Sequence, residues 1–265
     1  MSSPSQSPRS KDSAHSYQWL PGAIYPPELD WLSENLESAK ADILIECGRQ
    51  DGASARWYHE NLNPNIQVYS IDLDDRPEIL ENSKKNLDGT NVIAVTGDVF
   101  EKVPEIIRAN PDKRIAILED AVKGWPGLCL LLSCVFYDNV VLLAQHNLHE
   151  GHNTKILWEG LGGDTPVFLE QSPSETTAQS MKKWVQAHGQ MAQASNRDSN
   201  ISSLGLLHLS TQKRTELFDF MLANKALFRH WDPVSFRQTH GGKEKDFAKR
   251  NFRKEYYLRF TRPQR

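Results

Sequence analysis

Four successive carboxylate positions, two glycines and a histidine-asparagine pair are the residues of this chain whose types and spacing could do chemistry. Glu46 closes the apolar run ILIE, Asp72 closes QVYSID, Asp98 follows VTG, and Glu119-Asp120 end RIAILED. His146-Asn147 follow VVLLAQ. In an open parallel sheet, ligands bind beyond the carboxyl ends of the strands. A row of acids there makes a poor phosphate site and suits a ligand with hydroxyls, an amino group and positive charge. Gly48 and Gly52 lie in the turn after Glu46, where backbone must come close to a ligand and a side chain would block it. The spacing Glu46-x-Gly48-x-x-x-Gly52 fits neither the dinucleotide fingerprint nor a Walker A loop. The plain alternative is that each acid only caps a helix. That explains any one of them more easily than all of them.

These residues need a scaffold, and the hydrophobic pattern supplies one. Apolar runs predict strands over 43–46, 67–72, 92–96, 114–119 and 139–144. Helical segments are expected over 53–61, 77–87, 103–109 and 128–136, preceded by a first helix over 27–39 with Leu29, Leu32 and Leu36 at helical spacing. Strands alternating with helices require a parallel sheet with right-handed crossovers. Spacing alone does not say whether the first helix covers the sheet or the mouth of a site.

After residue 150 the rhythm breaks. A polar helix is expected over 175–194, a strand over 204–209, an amphipathic helix over 212–227 and a last strand over 255–261. The late strands suit an antiparallel edge that would complete a mostly parallel seven-stranded sheet with helices on both faces. Residues 1–18, rich in Ser and Pro, read as a disordered tail ahead of a single α/β domain over 19–265. The stretch over 150–203 is long for a plain connection and reads as a lid or substrate-recognition insertion.

Composition narrows the class. With 38% apolar and 25% charged residues, 265 residues suit one soluble α/β domain with additions. The net charge of −3 argues against a general nucleic-acid binder. From Arg229 to Arg265, eleven Lys/Arg stand against four Asp/Glu, with Phe247, Phe252, Tyr256 and Tyr257 interleaved. That segment reads as an RNA or anionic-partner patch, or more simply as a solvated helix before an edge strand. Cys47, Cys129 and Cys134 lack metal spacing and read as buried free thiols. No apolar run approaches the roughly 18 residues of a membrane span. The cytoplasm is the expected location.

The segment Ala41–Asn147 resembles the class I S-adenosylmethionine (SAM)-dependent methyltransferases. Glu46-x-Gly48-x-x-x-Gly52 is similar to their motif I, and Thr96-Gly97-Asp98-Val99 to their G-D-(A/V) motif. IECGRQDGASARW, IDLDDRP and LEDAVKG are most similar to the cephalosporin-hydroxylase-like and catechol-type small-molecule O-methyltransferases, with LLAQHNL at the place of a metal-binding turn. The resemblance implies a Rossmann-like α/β fold and SAM contacts from Glu46, Gly48, Gly52, Ser54, Asp72, Leu73, Asp98, Val99 and Asp120. Asp72 would accept from the ribose hydroxyls and Asp98 from the adenine amino group, with Val99 packing on the ring.

In those families a divalent cation is held by acids after strands four and five. The matching donors here are Asp120, His146 and Asn147, which would serve only if a cation such as Mg²⁺ is used. Gln145-His146-Asn147 contains no carboxylate. His146 as a neutral imidazole, or Lys123 with a pKa lowered by burial, could instead be the catalytic base. Lys123 could equally pair with Glu119-Asp120, and His146 could be structural. His149 and His152 read as a solvated loop, and Trp125 and Trp158 could stack on a substrate or simply pack.

The function implied is SAM-dependent O-methylation of a small molecule in secondary metabolism. The alternatives are a methyltransferase fold repurposed for elimination, cyclisation or isomerisation, and a non-catalytic binding module. The expected partner is a small-molecule substrate, with no membrane, nucleic acid disfavoured and a homodimer possible.

Overall fold

The computed structural model describes residues 24, 26–73, 76–122, 125–148, 158–164 and 204–223. In chain order these form α1 (Pro26–Ser38), β1 (Ile43–Cys47), α2 (Ala53–Asn61), β2 (Gln67–Asp72), α3 (Pro77–Leu87) and β3 (Ile93–Thr96). There follow α4 (Val99–Ala109), β4 (Ile115–Glu119), α5 (Trp125–Cys134), β5 (Val140–Gln145), β6 (Gly205–His208) and α6 (Thr211–Ala223).

The strands make one sheet in the order β3-β2-β1-β4-β5-β6. The first five run parallel, and β6 pairs antiparallel with β5, Leu143 opposite Leu207. Every residue of β1, β4 and β5 is buried, as expected of parallel strands covered on both faces. β3 is the edge, and its Ile93 is exposed. Six strands of the expected seven are described. The expected strand over 255–261, the polar helix over 175–194, most of the 150–203 insertion, the N-terminal tail and the basic C-terminus lie outside the described residues.

Side-chain alternation splits the core into two layers. Ile43, Ile45 and Cys47 of β1 face α4, α5 and α6, packing with Val103, Ile107, Leu131 and Leu217. Leu44 faces the opposite way, toward α1 and α2, with Leu118, Leu142 and Trp57. Leu29, Leu32 and Leu36 of α1 are fully buried against that second layer. The first helix therefore covers the sheet, and each leucine contributes about 2 kcal/mol of burial. At the far end of the fold, the Arg214 guanidinium on α6 donates to the carbonyls of Val135, Tyr137 and Val140, clamping the α5–β5 turn.

Two helices begin earlier than the sequence pattern suggests. α4 starts at Val99 because Asp98 caps it, its carboxylate accepting from Phe100 N at 3.0 Å. Pro104 then sits inside the helix rather than near its start. α5 starts at Trp125, ahead of the leucine run, because the chain can approach closely at Gly127. A Cβ there would lie 2.2 Å from Val122 O and 2.3 Å from Glu119 Oε2. Cys47, Cys129 and Cys134 are free and buried, and burial raises all three thiol pKa values, Cys134 to about 12. They are core groups rather than reactive thiols. No helix among the described residues is long and apolar enough to cross a membrane.

Candidate functional site at the carboxyl ends of the strands

The β1–α2 turn is fixed by backbone. Gly48, at φ 100°, donates its N–H to Ile71 O at 2.8 Å. A Cβ at Gly48 would lie 3.0 Å from Ala121 N, so this turn runs against the backbone of the β4–α5 turn. Gly52, at φ 78°, is the N-cap of α2. Gln50 is also left-handed, at φ 46°, and this aims its N–H at Asp72 Oδ2, 2.7 Å away. The Asp72 carboxylate at the end of β2 is thus anchored by the glycine turn. Replacing Gly48 with Ala should lower the urea unfolding free energy by about 2 kcal/mol, because both conformation and space oppose a side chain. An unchanged denaturation midpoint would contradict this account of the turn.

Glu46 lies beneath the turn and is fully buried. Its carboxylate accepts from Ser54 Oγ and Ser70 Oγ. Burial raises its pKa to about 7, although the two hydroxyls pull it back. Ser54, in the first turn of α2, is half-buried and stands between Glu46 and solvent.

The sign of the pH effect follows from the raised pKa. The folded protein takes up a proton that the unfolded chain has lost between pH 4.5 and 7, so stability falls as pH rises through that window. The loss is about 3 kcal/mol by pH 8. Glu46→Gln should flatten the curve in that window, measured as urea midpoints at pH 5 and pH 8. An unchanged slope would refute the burial argument.

Arg49 is a group that the sequence reading missed. Although charged, it is buried, and its Nη1 donates to Ser70 O at 2.9 Å and Val95 O at 3.0 Å, tying the ends of β2 and β3 together. Burial lowers its pKa, while Asp72 and Glu46 oppose that shift. The available signal was a lone cation between the two glycines of the turn.

The remaining expected contacts sit around this turn. Asp98 lies at the head of α4 as its cap, half-buried. Val99 is buried, and it packs into the α4–α5 core layer. Leu73, just past β2, is exposed.

The ends of β4 and β5 carry a second constellation. Glu119 is buried and accepts from Val122 N at 2.6 Å, shaping the turn into α5. Asp120 is partly exposed. Its Oδ1 lies 2.9 Å from His146 Nδ1 and accepts from Asn147 Nδ2 at 2.7 Å. Asn147 adopts φ 67°, a conformation that asparagine tolerates. On the other side of the ring, His146 Nε2 lies 3.4 Å from Oε2 of Glu28, an ion-pair distance longer than a hydrogen bond. Glu28 projects from α1, is itself buried, and accepts from Leu204 N at 3.0 Å.

Burial works against charge on His146, but Asp120 and Glu28 outweigh it and raise its pKa to about 9. That shift favours the imidazolium at neutral pH, with Nδ1 toward Asp120 and Nε2 toward Glu28, while Nδ1 also lies 2.7 Å from Asn147 Nδ2. In that form the ring has no lone pair to offer, so work as a base requires that this proton first be lost. Asn147 presents its amide N–H to Asp120, and the same nitrogen lies 2.7 Å from His146 Nδ1. Among the described residues, no group of three His, Cys, Asp or Glu could hold a metal ion. Trp158 is fully buried against Gly205 and Gly163, so it packs rather than stacks on a ligand. Lys123, His149, His152 and the Trp125 side chain lie outside the described residues.

No family model matches the sequence, and no curated protein does. Solved structures do match. The O-methyltransferase TomG from Streptomyces achromogenes, in complex with SAM, is 15% identical with a TM-score of 0.44, over 71% of this chain and 82% of that one. An O-methyltransferase from Bacillus cereus in complex with SAH is 13% identical with a TM-score of 0.43, over 71% of this chain and 83% of that one. The methyltransferase domain of bacterial-CtHen1-CN is 12% identical with a TM-score of 0.39, over 69% of this chain and 98% of that one.

The fold is a mostly parallel α/β sheet with helices on both faces. Its sheet, five parallel strands followed by an antiparallel β6 beside β5, is the arrangement the sequence resemblance implies. The likeness is one of fold alone.

Proposed function

We propose that the chain binds SAM at the ends of β1 to β4 and transfers its methyl group to a small molecule, at oxygen. The observation that carries this reading is the Asp72 carboxylate, held by Gln50 N at 2.7 Å beside a turn left-handed at Gly48, Gln50 and Gly52. A carboxylate fixed at the second strand end, beside a turn without bulk, suits the paired hydroxyls of a ribose. The donor chemistry fits the rest of the cofactor. Asp98 would take the adenine amino group and Asp120 the cationic end, while Ser54 stands ahead of the buried Glu46.

When bound, SAM supplies an electrophilic methyl group on a sulfonium. The chain's own contribution is to orient it and to place acids, rather than phosphate-binding cations, around a positively charged ligand. Asp120 is steadied by His146 and Asn147. Placed between Asp120 and Glu28, His146 steadies charge at this end of the site.

A second reading keeps the cofactor and drops the methyl transfer. The lack of a carboxylate in Gln145-His146-Asn147, where the resemblance places a metal-binding turn, favours it. Calorimetric titration with SAM and with S-adenosylhomocysteine (SAH), repeated with Mg²⁺ and with EDTA, tests the site. Micromolar binding of both, insensitive to the metal, is expected. A labelled-methyl screen of phenols, hydroxy acids and amines then separates the two readings. No binding of either nucleotide would refute both.

A further inference from the structure

We infer that Glu28 is a positioning residue that acts through His146 to fix Asp120 and Asn147, so that α1 and the entry to β6 are mechanically part of the ligand site. What Asp120 meets rests on the cofactor reading above; the relay itself does not. Four elements converge on one buried line. Glu28 on α1 takes Leu204 N at 3.0 Å through Oε1 and faces His146 Nε2 at 3.4 Å through Oε2. His146 Nδ1 lies 2.9 Å from Asp120 Oδ1, and Asn147 Nδ2 donates to that same oxygen at 2.7 Å.

Glu28 and the ring of His146 have no exposed side-chain surface, whereas Asp120 keeps 15% of its own. The line therefore runs from the interior to one partly open carboxylate oxygen pair. A ring held from both sides has a single orientation, and that orientation sets the rotamer of Asp120. The same arrangement lets a ligand on Asp120 be felt at α1 and ahead of β6, because Glu28 faces the ring at ion-pair distance and accepts from the Leu204 amide.

The burial of a carboxylate in α1 is otherwise costly. Leu29, Leu32 and Leu36 already pack that helix on the sheet, and a glutamate beside them adds a desolvated charge. The ring and the Leu204 amide, both from other elements, face that charge and help to make it tolerable.

The test uses the full chain with Glu28→Gln, which keeps shape and removes the charge. NMR of the ligand-free protein reads the side-chain amide of Asn147, a residue that Glu28 does not touch. Its resonance and that of the His146 ring N–H should both shift in Glu28→Gln, and Glu28→Asp should restore neither fully. If the Asn147 amide stays at its wild-type position, the relay does not transmit and the inference fails. Should Glu28→Gln not fold, Asp120→Asn read from the opposite end decides. The Leu204 amide must then move, and a static one overturns the proposal.

Hydrogen exchange with SAH adds the functional arm. Wild-type protection should rise in both the 48–54 turn and the 204–208 segment. In Glu28→Gln it should rise at least threefold less in 204–208 while remaining in the turn. No protection in either segment of the wild type would refute the cofactor reading, with the NMR arm still deciding the relay.

Discussion

Asp72→Ala is expected to weaken SAM and SAH binding by roughly 100-fold, taking a micromolar site out of calorimetric range. The magnitude follows from two hydrogen bonds from ligand hydroxyls to a charged acceptor, at about 1.5 kcal/mol each and 1.4 kcal/mol per decade. The substitution also frees Gln50 N, which donates to Asp72 Oδ2 at 2.7 Å, so the turn between Gly48 and Gly52 loses its tether. Asp72→Asn separates the two contributions. It keeps an oxygen for Gln50 and loses the charge, and an effect of about 10-fold is expected. Asp72 is half-buried at the strand end, so both variants should unfold within about 1 kcal/mol of wild type. Titration and urea denaturation on the same preparations check this. An affinity within threefold of wild type for Asp72→Ala would remove the site from the end of β2.

His146→Ala is the second large effect, and its readout is stability. The ring lies between Glu28 and Asp120, and removing it takes away the group that faces the buried Glu28 carboxylate at 3.4 Å. Loss of one partner from a buried pair costs about 3–5 kcal/mol. The size depends on pH in a definite direction. The folded pKa of about 9 stands above the ordinary 6.5, so this stabilisation is complete below pH 6.5 and disappears as pH rises through 9. The shift corresponds to about 3 kcal/mol. Urea curves at pH 6, 7.5 and 9.5 should therefore show the gap between wild type and His146→Ala closing as pH rises. A constant gap would mean that the ring is neutral in the folded protein. This window lies above that of Glu46, so the two groups can be told apart in one pH series.

The parallel sheet and most of its helices were legible in the sequence because each signal is local. A four-to-six-residue apolar run makes a buried strand wherever it lies, and helical spacing such as Leu29, Leu32 and Leu36 makes a buried face. The helices over 53–61 and 77–87 and the strand over 67–72 begin and end where the pattern puts them. Boundaries moved where a single atom decided them. The Asp98 carboxylate draws α4 back to Val99, and the absence of a Cβ at Gly127 lets α5 begin at Trp125.

The roles of the strand-end residues were legible only as a set. That acids gather at the strand ends follows from the runs they terminate, whereas which of them is open to a ligand depends on neighbours far away in the chain. Glu46 is buried by Ser54 and Ser70, and Glu119 is turned into its own loop. Asp72 and Asp120 retain exposure. The ionisation of His146 was least legible of all. Its two carboxylates come from α1 and from β4, and neither separation carries a periodicity or motif. Charge on a buried ring is decided by what packs against it, and tertiary structure alone brings Glu28 there.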